Sequence, residues 1–210
     1  MPPVFAHEDV GALWLQMLQR AIGRAAHDVR DALNGVSVNL EVVRSRSTRA
    51  DAPASAVAPF AESAAHQLER LATLIEAVLA LSRAERAPAD VAIILRRMCI
   101  VCGASSSARD AAIQLRETIS DSATATSVAG DAVRLALAAP LLGVVVGADG
   151  AAPATEVTCT LGGNQEAIHV TIGAIGRRTA MPEAVADVLR TAGVRWTEEG
   201  NDLSLAFPRV

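Results

Sequence analysis

Apolar residues recur with a seven-residue period over residues 9–47, the first long segment of the chain. The residues on the two apolar positions of this heptad are Ile22, Val29, Val36 and Val43, and Ala26, Leu33 and Leu40. This spacing is typical of the a/d seam of a helix that packs lengthwise against another helix. The stretch 45–59, which holds Pro53 and Pro59 among small and polar residues, predicts a loop after this helix.

A second helix is predicted over residues 60–85, where apolar residues again recur with helical spacing. This stripe is broad and contains Ala64, Leu68, Leu71, Leu74, Ile75, Val78 and Leu81. The two helices predict an antiparallel hairpin whose apolar faces are too wide for two helices to bury alone. Pairing of two hairpins into a dimeric four-helix bundle solves this problem, so we expect a homodimer. The alternative is that the second half of the chain covers the hairpin.

The pattern changes after residues 86–90, where helix and strand signals alternate. The predicted elements are helices over 91–106, 130–146 and 181–193, a strand over 111–119, and β-hairpins over 155–173 and 194–208. Helices interleaved with a mostly antiparallel sheet indicate a two-layer α/β sandwich. We therefore expect the fold class α + α/β, with a helical hairpin over residues 1–88 and an α/β domain over residues 89–210.

Composition excludes several kinds of protein. All 19 basic residues are arginine, so sites that need a lysine, such as a phosphate-binding loop or a Schiff base, are excluded. The net charge of −4 and the aromatic content of 2% argue against a nucleic-acid-binding surface. The longest apolar run, 135–148, contains Pro140 and is too short to cross a bilayer, and the N-terminus lacks the pattern of a signal peptide. We expect a soluble cytoplasmic protein that binds neither nucleic acid nor membrane.

The cysteines form a sparse, odd-numbered set, Cys99, Cys102 and Cys159, as expected in a reducing compartment. Cys99 and Cys102 form a Cys-x-x-Cys motif. Zinc would need a second pair of ligands, and a thioredoxin-like site would need a preceding strand. Neither is present in the sequence, so we expect buried thiols and no metal.

Three segments together resemble the two-component histidine kinases over nearly the whole chain. The hairpin of that family carries a histidine followed by an acid, a basic residue and then usually Pro-Leu, and residues 27–33 read HDVRDAL. Ala32 stands where the family prefers proline. Residues 128–135 resemble the run that leads into the family's nucleotide-binding helix, and residues 200–210 resemble its closing strand. The resemblance implies a dimeric hairpin followed by a domain like the kinase ATP-binding domain.

The chain departs from this family at the nucleotide site. By our alignment, the two asparagines that hold the magnesium–phosphate group would fall on or near Leu141 and Val145, and hydrocarbon side chains do not bind a hard cation. The aspartate that reads adenine would fall on Ala174, and only Gly176 of its motif remains. The resemblance therefore implies a lost ATP site and points to the dimeric histidine phosphotransferases, which relay phosphoryl groups between receiver-domain aspartates. We expect no cofactor, because magnesium would come from the partner receiver domain.

His27 is the candidate nucleophile, because the heptad places it at position b, beside the seam and open to water. Arg30, Asp31 and Asn34, which follow it by three, four and seven residues, share its face of the helix. A neutral imidazole can attack the aspartyl phosphate of a docked receiver. Asp28, about 100° round the helix, is the first candidate to hold the other ring N–H, and Asp31 is the second. Arg30 and Asn34 are the candidates for contacts with the phosphoryl group or the partner.

Other interpretations remain open for the same residues. The charged group around His27 can be a solvated helix face with ion pairs between successive turns. His66 is interpreted as a structural or surface residue. A non-catalytic pseudokinase scaffold, which binds and regulates a receiver or a kinase, is the alternative function, and an unusual ATP-using kinase is a third hypothesis.

Overall fold

A computed structural model describes residues 5–49, 53–83, 88–103, 112–118, 124–146, 154 and 156–210. The chain begins with helix α1 (Phe5–Ser47), a short 3-10 turn (Ala54–Ala56) and helix α2 (Ala58–Ser82). The two helices pack against each other in antiparallel order, since Asn39 of α1 donates a hydrogen bond to Ser63 of α2 at 3.2 Å. The predicted helical hairpin is therefore confirmed.

The second half of the chain alternates short strands and helices. Its elements are β1 (Ala89–Asp90), α3 (Val91–Gly103), β2 (Ala112–Glu117), β3 (Ala125–Thr126), α4 (Gly130–Val146), β4 (Glu156–Gly163), β5 (Ala167–Ala174), α5 (Glu183–Thr191), β6 (Arg195–Glu199) and β7 (Asp202–Pro208). Each predicted helix and strand of this half lies within a few residues of an observed one. The predicted helix over 130–146 has the observed bounds, and it continues past Pro140.

The strands β2, β4, β5, β7 and β6 form a five-stranded sheet in that order. β2 is parallel to β4 and the other neighbouring pairs are antiparallel. Alternate residues of the three central strands are buried, as in β5, where Ile168, Val170 and Ile172 are all 0% exposed. The residues between them are partly exposed. One face of the sheet thus carries the helices and the other faces solvent, which confirms the predicted two-layer α + α/β fold.

Helix α4 is buried on every side. Its sequence is an apolar run without a polar face, as expected for a helix surrounded by protein. Between Ala132 and Val145, every residue except Gly143 is buried. Even Arg134 is only 1% exposed; it donates a hydrogen bond to Asp131 and lies 6.0 Å from the ring centre of Trp14 in α1. This burial offsets the roughly 3 kcal/mol that a proline inside a helix costs.

The first half of α1 contributes to the same core as α4. The α1 residues in this core are Val10, Trp14, Met17, Leu18, Ala21 and Ala25. The second half of the chain therefore covers this part of α1, as the alternative to dimerisation envisaged. The two halves share one hydrophobic core, in which α1 lies against α4 and α5.

The predicted heptad seam of α1 is divided between two environments. Val36 is buried and Val29 and Val43 are half-buried, whereas the other seam residues, Ile22, Ala26, Leu33 and Leu40, are exposed. The predicted stripe of α2 divides in the same way: Leu71 and Leu74 face inward, and Leu68 and Ile75 remain exposed. Each of the two helices thus carries two apolar faces. Within the single chain one face of each helix is buried and the other is exposed.

No helix in the described part of the chain is both long enough and apolar enough to cross a membrane.

Candidate functional site

His27 lies two residues after Ala25, the last fully buried α1 residue of the shared core. Beyond it, Val29 still packs partly buried against that core, whereas the His27 side chain itself is exposed. Arg30, Asp31 and Asn34 are exposed on the following two turns. The structure therefore places four of the five predicted site residues on an accessible part of α1.

Asp28 lies in a different environment from His27. Its side chain is half-buried, and its Oδ2 atom is shielded from solvent. Asp28 and Asp31 line a cavity of about 540 Å³ that lies between α1, α2, α3 and β2. His27 is not among the residues that line this cavity. Asp28 thus faces the junction between the hairpin and the α/β domain.

The α2 wall of this cavity holds polar residues that the sequence analysis did not select. They are His66, Gln67, Glu69, Arg70 and Thr73, and they lie above an apolar floor that includes Leu71, Leu74, Ile100 and Ile113. Among the described residues the cavity therefore combines three carboxylates with one guanidinium and one imidazole. Antiparallel pairing of the two helices was the signal that could have placed His66 and Arg70 opposite Asp28 and Asp31.

Gly35 sets the closeness of the two helices beside this cavity. A Cβ atom added at Gly35 would lie 2.8 Å from the amide nitrogen and oxygen of the Gln67 side chain. Near the turn, Arg46 lies over the ring of Phe60 at 4.7 Å and donates a hydrogen bond to the carbonyl of Ala56. These contacts fix the register of α1 against α2, and so the position of His27 relative to the cavity.

The three cysteines lie close to one another, where α3 packs on the sheet. Cys102 and Cys159 are 0% exposed, as predicted, but Cys99 is half-exposed and lines the cavity. Burial raises the pKa of Cys102 from 9.0 to about 12. A hydrogen bond with Cys99, together with burial, raises the pKa of Cys159 far above its usual range. Within the described part of the chain, no group of three or more His, Cys, Asp or Glu side chains is arranged to hold a metal ion.

The positions that the resemblance assigned to nucleotide binding lie inside the core. Leu141 and Val145 are 0% exposed, and Ala174 is 6% exposed. These side chains offer no oxygen ligand to a magnesium ion and no hydrogen bond to a base. At these three positions the described structure offers no group that could hold Mg-ATP.

Comparison with known proteins finds similarity only among solved structures. The histidine kinase AdeS of Acinetobacter baumannii superposes with a TM-score of 0.43 at 11% sequence identity, over 87% of this chain and 97% of that chain. A histidine kinase from Burkholderia phymatum STM815 superposes with a TM-score of 0.37 at 17% identity, over 91% of this chain and 96% of that chain. No protein-family model matches the chain, and no curated protein matches its sequence. Likenesses this distant assign no activity to the chain.

Proposed function

We propose that the chain is a histidine phosphotransferase that relays phosphoryl groups between receiver-domain aspartates through His27. The observation that carries the proposal is the exposure of His27, two residues after Ala25, the last fully buried α1 residue of the shared core, with Arg30, Asp31 and Asn34 exposed beyond it. A nucleophile for a protein-bound phosphoryl group needs such access, because a receiver domain is too large to enter a cavity. A cytoplasmic location goes with this proposal.

The transfer step needs few groups from this chain. The neutral imidazole of His27 attacks the phosphorus of the aspartyl phosphate; an N–P bond forms, and the P–O bond to the aspartate breaks. Asp31, four residues further along α1, can accept a hydrogen bond from the other ring N–H and stabilise the cationic ring. Arg30 can contact the phosphoryl oxygens, Asn34 can contact the partner, and the receiver supplies the magnesium.

The burial of Leu141 and Val145 supports transfer without ATP. A nucleotide at this place would have to displace aliphatic side chains that are 0% exposed, in a helix that is buried on all sides. The chain would therefore receive its phosphoryl group from another protein.

A homodimer is part of the same proposal. Leu15, Ile22, Leu33 and Leu40 of α1 are each between 39% and 54% exposed, and at about 100° per residue they project within about 20° of one another. Leu68, Ile75 and Leu79 form a similar exposed stripe on α2. A second copy of the hairpin would bury both stripes in a four-helix bundle.

The test is transfer of radioactive phosphate from receiver domains that have been phosphorylated with labelled acetyl phosphate. We expect a label on the chain that is labile in acid and stable in alkali, which is the signature of phosphohistidine. His27→Ala should abolish the label. His66→Ala is the matched control, because His66 is also an exposed histidine of the hairpin, and it should keep the label. A label that persists in His27→Ala would overturn the proposal, as would labelling by ATP.

A non-catalytic scaffold is the second candidate, and the position of Asp28 favours it. Asp28 lines the cavity, whereas His27 is exposed to solvent. Of the two carboxylates that the sequence analysis proposed for the ring N–H, Asp28 therefore lies in a different environment from the imidazole. A scaffold would still bind a receiver through the exposed face of α1. Its signature is a receiver complex that survives His27→Ala, with no phosphate on the wild-type chain.

A further inference from the structure

The three cysteines meet where α3 crosses the edge of the sheet. α3 runs antiparallel to β2: near its middle, Arg96 donates a hydrogen bond to Glu117 at 2.7 Å. At its end, a Cβ atom added at Gly103 would lie 3.5 Å from the Cβ atom of Ile113. Cys99 lies between these two contacts, and so above the middle of β2.

The sheet register places Cys159 below the same point. The residue midway between Ile113 and Glu117 is Leu115, and Leu115 pairs directly with Cys159 of β4. The side chain of Cys159 belongs to the buried set of β4, on the face that carries the helices. The Cys99 and Cys159 side chains are close enough for an interaction between them to raise the pKa of Cys159. The contacts between α3 and β2 and the pairing of β2 with β4 therefore both place Cys99 next to Cys159.

The members of this cluster differ in access to solvent. Cys99 is half-exposed in the wall of the cavity, whereas Cys102 and Cys159 are fully buried. The two buried thiols are therefore out of reach of a molecule that enters the cavity, whereas the Cys99 side chain lines it. A small oxidant that enters the cavity therefore meets Cys99 first.

We propose that Cys99 and Cys159 form a reversible disulfide when the chain meets a peroxide. In the first step the Cys99 sulfur attacks one oxygen of hydrogen peroxide, the O–O bond breaks, and Cys99 becomes a sulfenic acid with release of water. In the second step the Cys159 sulfur attacks the Cys99 sulfur, an S–S bond forms, and the hydroxyl group leaves as water with the Cys159 proton. Two thiols are oxidised by two electrons and one peroxide is reduced to two waters. A small thiol reductant reverses the reaction.

The disulfide would tie α3 to β4 beside the cavity. Because Cys99 lines this cavity together with Asp28 and Asp31, oxidation would fix the position of α3 next to two carboxylates that follow His27 closely on α1. The inference concerns the chain's own thiols and is independent of phosphoryl transfer.

The test uses the full chain, treated with hydrogen peroxide, then alkylated in denaturant and digested with trypsin. Cleavage after arginine places Cys99 and Cys102 in the peptide 98–109 and Cys159 in the peptide 135–177. We expect these two peptides to be joined, with the alkyl group on Cys102. Free thiols should fall from three to one per chain, and dithiothreitol should restore all three. Three alkylated thiols after peroxide, or a bond between Cys99 and Cys102, would overturn the proposal.

Two variants separate the roles of the buried thiols. Cys159→Ala should leave Cys99 as a sulfenic acid that dimedone labels, and Cys102→Ala is the matched control that should keep the disulfide. Cys99→Ser changes a half-exposed residue and should abolish the bond with the fold intact, as checked by circular dichroism. Loss of the joined peptides in Cys102→Ala would contradict the assignment of the pair.

Discussion

At the scale of single residues, few kinds of side chain in this chain lose a proton at alkaline pH. It has neither lysine nor tyrosine, so between pH 9 and pH 12 its thiols are the side chains that lose protons. Burial raises the pKa of Cys102 from 9.0 to about 12 in the folded chain. The unfolded chain therefore releases this proton first, and the stability that depends on the neutral thiol is present below pH 9.

We expect the free energy of unfolding to fall as the pH rises from 9 to 12, in a reducing buffer. One such group contributes a slope of up to about 1.4 kcal/mol per pH unit. Urea titrations across this range measure the slope. In Cys102→Ala, stability should fall less steeply with pH, because the variant lacks the thiol that holds its proton more tightly in the folded chain than in the unfolded chain. A wild-type stability that is constant from pH 9 to pH 12 would contradict the assignment.

Leu141 provides a second prediction at this scale. Leu141→Asn should lower the free energy of unfolding by at least about 3 kcal/mol, because it removes a fully buried apolar side chain and buries an amide. Leu141→Met, which keeps the volume, should cost less than about 1.5 kcal/mol. Urea unfolding measures both. A rise in melting temperature of Leu141→Asn with Mg-ATP would show that the asparagine restores a site, against our interpretation.

The residues of the candidate site show what helical spacing can and cannot predict. Spacing places His27, Arg30, Asp31 and Asn34 on adjacent turns, and the structure finds all four exposed. It could not show the surroundings of Asp28, because the cavity that Asp28 faces is built by α2, α3 and β2. The direction of a side chain follows from its own helix, but its environment follows from elements far away in the chain.

At the scale of elements, α1 is one helix that packs against several others. Its first half lies in the core shared with α4 and α5, and α2 packs along it as its hairpin partner. Periodicity predicted the helix and the hairpin correctly because apolar spacing is a local property. It could not tell which apolar face would meet α2, since both faces of α1 and α2 carry apolar stripes. Which face of α1 meets α2 depends on where α4 packs. The uniformly apolar sequence of α4 predicts that this helix is buried, but it does not show which element covers it.

Trp14 tests the contact between α1 and α4. Trp14→Ala should destabilise the chain by about 3–5 kcal/mol, because it leaves a large cavity in the shared core beside Arg134. The exposed Arg20, on the same half of α1, is the control, and Arg20→Ala should change stability by less than about 0.5 kcal/mol. Urea unfolding measures both values. Equal small effects would mean that the first half of α1 does not contribute to the core.

At the scale of the whole molecule, the exposed stripes of α1 and α2 predict a dimer. Light scattering with size-exclusion chromatography should give twice the mass of one chain. Ile75→Glu should give a monomer, because it places a charge in the stripe that a second hairpin would bury. Val38→Glu is the control: Val38 is 64% exposed but lies roughly 140° round α1 from the stripe, so this variant should remain a dimer. A wild-type monomer, or a dimeric Ile75→Glu, would contradict the bundle.

The shared core also determines how the two parts of the molecule can move. The α/β domain cannot swing away from α1 without exposing Trp14, Met17 and Leu18 to water, and His27 follows this anchored segment directly. If the proposed function is correct, the His27 imidazole is held in a fixed orientation relative to the α/β domain. The rate of phosphoryl transfer then depends on how often a phosphorylated receiver domain binds.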